Sequence, residues 1–122
     1  MKILVVDDDL DVIDLVTRWL VREGHSVSHV VTGPQALEAL AADPLPDLVL
    51  LDVMLPRVDG FAVLRRLRAD ERTKRLPVMI VSSFDRDQDV ARGRELGADD
   101  YLVKPLMEYH FLGRVARFAK KA

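Results

Sequence analysis

Apolar residues in this chain come in two rhythms that alternate from end to end. One is the short unbroken run: Ile3-Leu4-Val5-Val6, Leu48-Val49-Leu50-Leu51, Leu76-Pro77-Val78-Met79-Ile80-Val81 and Tyr101-Leu102-Val103. Runs this short and this apolar predict strands buried on both faces, as in parallel sheets. Ser26 to Val31 is β-rich with mixed polarity, the pattern of an edge strand. The other rhythm is helical. Val12, Ile13, Leu15, Val16, Trp19 and Leu20 recur with a helical period from Leu10 and stop at Gly24. Gly33-Pro34 opens a second helix through Ala36, Leu37 and Leu40, with proline in the first turn where its missing N–H costs little. Phe61, Val63, Leu64 and Leu67 predict a short third helix, and Arg65 to Arg75 reads as its end plus a loop. Asp85 to Leu96 predicts a weaker, more polar helix with Gly93 inside it and Gly97 closing it. A last helix starts at Met107, with Phe111, Leu112, Val115, Ala116 and Phe118 expected inward.

Strands and helices alternating through mostly short links predict a doubly wound α/β sheet. The 122 residues make one domain, 1–122, without repeat or internal linker. Lys120-Lys121-Ala122 reads as a tail where a linker to another domain would attach. Charge changes the picture by exclusion. The 18 basic and 20 acidic residues nearly cancel, so neither a nucleic-acid coat nor an acidic tail is indicated. The absence of cysteine removes disulfides, thiolate metal sites and cysteine nucleophiles together. No run approaches the ~20 apolar residues of a membrane span, and Asp7-Asp8-Asp9 ends the first run too early for a secretory signal. A soluble cytoplasmic domain is expected.

The chemistry lies where the strands stop. Asp7 and Asp8 end the first, Asp52 the third, Ser82 the fourth and Lys104 the fifth. If the strands run parallel, these ends share one edge, where open α/β sheets bind ligands. Two carboxylates ~4 Å apart repel by ~4 kcal/mol at an effective dielectric near 20. Three would raise one another's pKa or demand a cation. With oxygen ligands only, that cation is Mg²⁺. A hard dication, a nucleophilic carboxylate, a lysine and a hydroxyl match phosphoryl transfer, in which an attacking aspartate becomes an acyl phosphate.

Four blocks carry a resemblance: Val5-Val6-Asp7-Asp8; Asp47 through Pro56 with Asp59-Gly60; Pro77 through Ser82; and Gly97 through Pro105. In this order and spacing they make the chain similar to the receiver domains of two-component response regulators, over essentially its whole length. The resemblance implies a flavodoxin-like, three-layer fold with strand order 2-1-3-4-5. It implies that Asp52 accepts a phosphoryl group from the phosphohistidine of a sensor histidine kinase or a phosphotransfer protein. Asp8, Asp52 and the Met54 backbone carbonyl would ligate Mg²⁺, with Asp7 helping through water. Lys104 would meet the phosphoryl oxygens, aimed by a cis bond to Pro105, and the Ser82 hydroxyl would close on them. Tyr101 matches the aromatic that follows that hydroxyl and switches the face of the fourth helix, fifth strand and fifth helix. A downstream effector domain or protein, and a phosphorylation-dependent dimer, would read that face. Met54 and Phe84 fall at the two variable positions flanking the phosphoryl group; both are apolar and cannot orient a hydrolytic water, so a slowly hydrolysed phosphoryl group is expected. Ser83 is small and leaves Asp52 accessible.

The plainer readings also have consequences. Asp9 and Asp11 read as helix-capping carboxylates, and Asp47 and Asp59 as turn residues. Asp99 and Asp100 read as loop and strand-edge residues, and Tyr101, taken alone, as a half-buried strand aromatic. His25, His29 and His110 share no ligand spacing and belong on the surface or an edge. The run Arg65, Arg66, Arg68, Arg72, Lys74 and Arg75, interleaved with Asp70 and Glu71, reads as a solvated face, as do Arg114, Arg117 and Lys121. A receiver-like interaction module working without phosphorylation is the alternative; loss of Asp8, Asp52 or Lys104 would be its mark, and all three are present. An aspartate-nucleophile phosphatase would need a second carboxylate where Met54 stands. A nucleotide-binding flavodoxin-like protein would need a Gly-rich loop after the first strand. The expected activity is therefore the domain's own phosphotransfer and dephosphorylation, not turnover of a substrate, and direct nucleic-acid or membrane binding is not expected.

Overall fold

The computed structural model describes residues 1–119, so the tail at Lys120-Lys121-Ala122 and the place of Lys121 on the last helix lie outside the described residues. Strands β1 (Lys2–Val6), β2 (Ser26–Val30), β3 (Leu48–Leu51), β4 (Val78–Ser82) and β5 (Asp100–Val103) alternate with helices α1 (Leu10–Arg22), α2 (Gly33–Leu40), α3 (Gly60–Ala69), α4 (Asp87–Glu95) and α5 (Glu108–Ala119). The sheet order is β2-β1-β3-β4-β5 with every neighbouring pair parallel. This is the doubly wound, flavodoxin-like arrangement implied by the sequence, and all carboxyl ends lie along one edge.

Side chains alternate across the sheet and divide the core in two. Leu4, Val6, Val49, Leu51, Val78, Ile80 and Tyr101 face α2 and α3 residues such as Ala36, Leu40, Phe61, Leu64 and Leu67. Ile3, Val5, Leu48, Leu50, Met79, Val81 and Leu102 face Ile13, Val16 and Leu20 of α1 and Phe111, Val115 and Phe118 of α5. β1, β3 and β4 are covered on both sides, which is why their sequences are unbroken apolar runs. β2, at an edge, keeps mixed polarity, with only Val27 and Val30 partly buried.

Helix starts are written in polar side chains. Asp9 accepts hydrogen bonds from the Asp11 and Val12 amides, Thr32 from the Gln35 amide, and Asp59 from the Ala62 amide. α4 has no such cap, is the most polar helix, and buries only Gly93. A glycine inside a helix costs ~1 kcal/mol relative to alanine, so its place at the one fully buried position of α4 calls for a packing reason.

Several expectations need correction. Ala116 faces solvent rather than the core, because the buried positions of α5 are Phe111, Val115 and Phe118. Tyr101 is buried, at 7 % exposure, because β5 places its ring against β4 and α4. The basic run is not uniformly solvated. Arg68 donates to the carbonyls of Gly97, Thr73 and Leu76 and pairs with Asp99, whose carboxylate also accepts the Val78 amide. Arg72 donates to the Leu40 and Ala42 carbonyls at the end of α2 and pairs with Asp43. Arg72 thus satisfies acceptors left open at the end of α2, and Arg68 satisfies loop carbonyls before β4 and after α4. Arg114 pairs with Asp100 across β5 and α5 instead of standing free in solvent.

Candidate functional site

Three strand ends meet at the centre of the edge. Asp7 follows β1, Asp52 follows β3, and Lys104 follows β5. β1 and β3 are neighbours in register, Val6 opposite Leu51, so the next residue on each brings two carboxylates side by side. Asp7 and Asp52 are 3 % and 5 % exposed, whereas Asp8 is exposed. One carboxylate oxygen from each of Asp7, Asp8 and Asp52 lies within 4.8 Å of the others. Lys104 Nζ donates to Asp7 Oδ2 at 2.8 Å and to Asp52 Oδ2 at 2.9 Å. The Lys104–Pro105 bond is cis, as the resemblance implied.

Backbone donors fix the carboxylates. The Asp9 amide donates to Asp7 Oδ1 at 2.9 Å, and the Met54 amide donates to Asp52 Oδ1 at 2.9 Å. Met54 thus enters the site through its backbone, while its side chain is 49 % exposed beside the opening. The loop after β3 is held close by Gly60, a contact the sequence did not reveal. A Cβ there would lie 2.2 Å from the Asp52 carbonyl oxygen and 2.5 Å from the Val53 Cα, and the Gly60 amide donates to the Val53 carbonyl. A side chain at position 60 would displace the backbone that carries Asp52.

The electrostatics are unbalanced. Three carboxylates cluster beside one ammonium, which pairs with two of them, leaving a surplus of two negative charges when all are ionised. Burial raises the Asp7 pKa above its ordinary value; hydrogen bonds from Lys104 and the Asp9 amide oppose this, and the Asp52 charge adds to it. Burial would lower the Lys104 pKa, but its hydrogen bonds to Asp7 and Asp52 and their charges outweigh that, so the net shift is upward. The two shifts agree physically: the lysine is firmly protonated, and it does not neutralise the pocket. The donor set is all hard oxygen, and exposed Asp8 leaves the opening to solvent. That fits Mg²⁺, which takes one or two carboxylates and retains water.

Beside the carboxylates runs a polar chain. Ser82 is fully buried, and its Oγ accepts from the Phe84 amide at 3.3 Å. The Tyr101 hydroxyl donates to the Phe84 carbonyl at 2.8 Å. Burial, with the nearby charges of Asp89, Asp52 and Asp85, pushes the Tyr101 pKa up to about 12. Ser83 is exposed, and the Phe84 side chain is 37 % exposed. The histidines stay outside: His29 and His110 are exposed, and His25 faces the Met1 amine.

Comparison with known proteins decides the family. The family model described as the response regulator receiver domain matches residues 3–116. The chain belongs to the response regulator receiver-domain family. The DNA-binding dual master transcriptional regulator RpaA of Synechocystis sp. is 43% identical over 120 residues, which is 98% of this chain and 49% of that protein. Response regulator PleD of Caulobacter vibrioides is 43% identical over 114 residues, 93% of this chain and 25% of that protein. This receiver domain therefore spans half or less of the length of these relatives. Among solved structures, the BeF3-activated N-terminal receiver domain of Klebsiella pneumoniae RstA superposes with a TM-score of 0.88 at 34% identity, covering 97% of each chain. Among the described residues, no helix of the receiver domain is long and apolar enough to cross a membrane.

Proposed function

We propose that this receiver domain is a phosphorylation-controlled switch in which Asp52 takes a phosphoryl group from a phosphohistidine of a sensor kinase or phosphotransfer protein. An Asp52 carboxylate oxygen attacks phosphorus, the P–O bond forms as the P–N bond to imidazole breaks, and the imidazole leaves with a proton. The supporting observation is the surplus of negative charge at Asp7, Asp8 and Asp52 beside the one partly buried ammonium of Lys104. Such a cluster is costly unless a cation completes it.

Asp8 and Asp52, the Met54 carbonyl and, through water, Asp7 are the groups that would hold Mg²⁺. When bound, the ion neutralises charge on the equatorial phosphoryl oxygens. Lys104 supplies a second cation already within reach of Asp52, and its contacts with both carboxylates keep it there until phosphoryl oxygens compete for it. The Ser82 hydroxyl is available to the phosphoryl group once it leaves the Phe84 amide, and Tyr101 is tied to the same residue through the Phe84 carbonyl. A new dianion is thus linked to the α4–β5–α5 face through one short loop. The RstA receiver, described as BeF3-activated, lends support, since trifluoroberyllate on a carboxylate has the shape and charge of a phosphoryl group.

In this reading the domain works in the cytoplasm as the receiver part of a longer regulator or alone, and catalyses only its own phosphotransfer and dephosphorylation. Its partners are the phosphodonor and an effector, with a phosphorylation-dependent dimer as one output. The test is intact mass after incubation with a small phosphodonor and Mg²⁺. Uptake of one phosphoryl group by the wild type and none by Asp52→Asn is expected; no uptake by the wild type would favour an interaction module that works without phosphorylation.

A further inference from the structure

α4 carries its only buried residue, Gly93, at the point where it crosses β4 and β5. A Cβ built on Gly93 would lie 2.8 Å from Ile80 Cδ1, 3.0 Å from Tyr101 Cδ2 and 3.2 Å from Tyr101 Cε2. The Ile80 methyl is the end of a flexible side chain and can rotate aside. The Tyr101 ring cannot give so readily. It stands on β5, packs under α4, and is tethered at its far end by the hydroxyl bond to the Phe84 carbonyl. The other holds on α4 are peripheral: Val90, and Leu96 just past its end, are partly buried against the core, and Arg92 stacks over the Phe61 ring of α3 at 4.5 Å. A helix-weakening residue at the one fully buried position of the most polar helix needs a reason.

We propose that Gly93 is a positioning residue for the switch: its bare backbone is the seat on which the Tyr101 ring lies, so α4 sets whether that ring stays buried. With a methyl group at 93, either the ring tilts off the Phe84 carbonyl or α4 lifts from the sheet. Either response loosens the Phe84 loop, whose amide holds the Ser82 hydroxyl, and so reaches the phosphoryl site without touching a carboxylate. The inference rests on the reading of Asp52 as phosphoacceptor only for its functional consequence; the contact itself is independent of it.

The experiment compares Gly93→Ala in two backgrounds, with Tyr101 present and with Tyr101→Leu. In a Tyr109→Phe protein Tyr101 is the remaining tyrosine, and its phenolate absorbance can be followed against pH while far-UV circular dichroism reports the fold. Gly93→Ala is expected to shift the Tyr101 midpoint from about 12 toward the ordinary value near 10. It is also expected to slow phosphoryl uptake from a small phosphodonor roughly two- to tenfold when the ring is present, and to leave the rate unchanged in Tyr101→Leu. An unmoved midpoint, or an equal loss of rate with and without the ring, would overturn the proposal. If Gly93→Ala alone does not fold, removal of the ring is expected to restore folding, and no restoration would equally overturn it. Wild-type protein that takes up no phosphoryl group would defeat the phosphoacceptor reading, and the titration would still decide the role of Gly93.

Discussion

Charged side chains are drawn at least partly out of solvent in two regions of this receiver domain, and the two treat them in opposite ways. At the end of α3, Arg68 spends its donors on three backbone carbonyls and on Asp99, so one cation meets one anion and little is left over. At the strand ends, Asp7 and Asp52 hold the ammonium of Lys104 between them, Asp8 stands beside them, and the cluster remains anionic in sum. A closed account of charge is what a structural tie requires, because each buried polar group must find its partner within the fold. An open one is stable only if something from outside completes it. The contrast separates a clamp from a site without reference to any family.

The sharpest way to break the comparison is to cut the clamp. Arg68→Met keeps the stem but strands the Gly97, Thr73 and Leu76 carbonyls and leaves Asp99 without its cation. It should cost ~1–3 kcal/mol in a denaturant titration, mostly for the carbonyls left without a donor, and no measurable loss would show that the ties are not needed. The reverse sign is expected at the site. Asp8→Asn relieves like-charge repulsion and, without divalent cation, should raise stability by ~1 kcal/mol or less, since Asp8 is exposed and screened. A marked destabilisation would mean that Asp8 is a structural partner like Asp99.

Two smaller effects sharpen the picture inside the site loops. Met54 and Phe84 present exposed apolar side chains in the loops that follow β3 and β4, so the aspartyl phosphate should hydrolyse slowly, over minutes or longer. Phe84→Glu, which can orient water, should shorten its lifetime several-fold; a lifetime of seconds in the wild type, unchanged by the substitution, would remove the argument. Arg57, in the loop after β3, holds φ at 69°, the left-handed region that favours glycine. Arg57→Gly should therefore stabilise by ~0.5–1 kcal/mol, and a loss of stability would point to an unrecognised contact of the Arg57 side chain.

The fold was legible in the sequence because a parallel sheet covered on both faces writes its central strands as apolar runs, and its edge strand β2 as mixed polarity. The site was legible for a related reason. Asp7, Asp52, Ser82 and Lys104 are the first polar residues after those runs, and parallel topology alone gathers them. What escaped was information held by backbone atoms. Arg68 and Arg72 looked solvated because their acceptors are carbonyls, which leave no trace in a side-chain pattern. The close approaches of Gly60 to the Asp52 backbone and of Gly93 to Tyr101 depend on how loops and helices fold back, and spacing does not encode that. Tyr101 read as half-buried because a strand-end aromatic has no signature for the helix that covers it.

The most direct test of the open account of charge is a Mg²⁺ titration of thermal stability without phosphodonor. A ligand that binds only the folded state stabilises it by about 2.7 kcal/mol at a hundredfold excess over its dissociation constant. The wild-type midpoint should climb with Mg²⁺, while Asp8→Asn and Asp52→Asn should climb far less and Arg68→Met, from its lower start, by as much as the wild type. A wild-type midpoint indifferent to Mg²⁺, or an equal rise in all four proteins, would contradict the account.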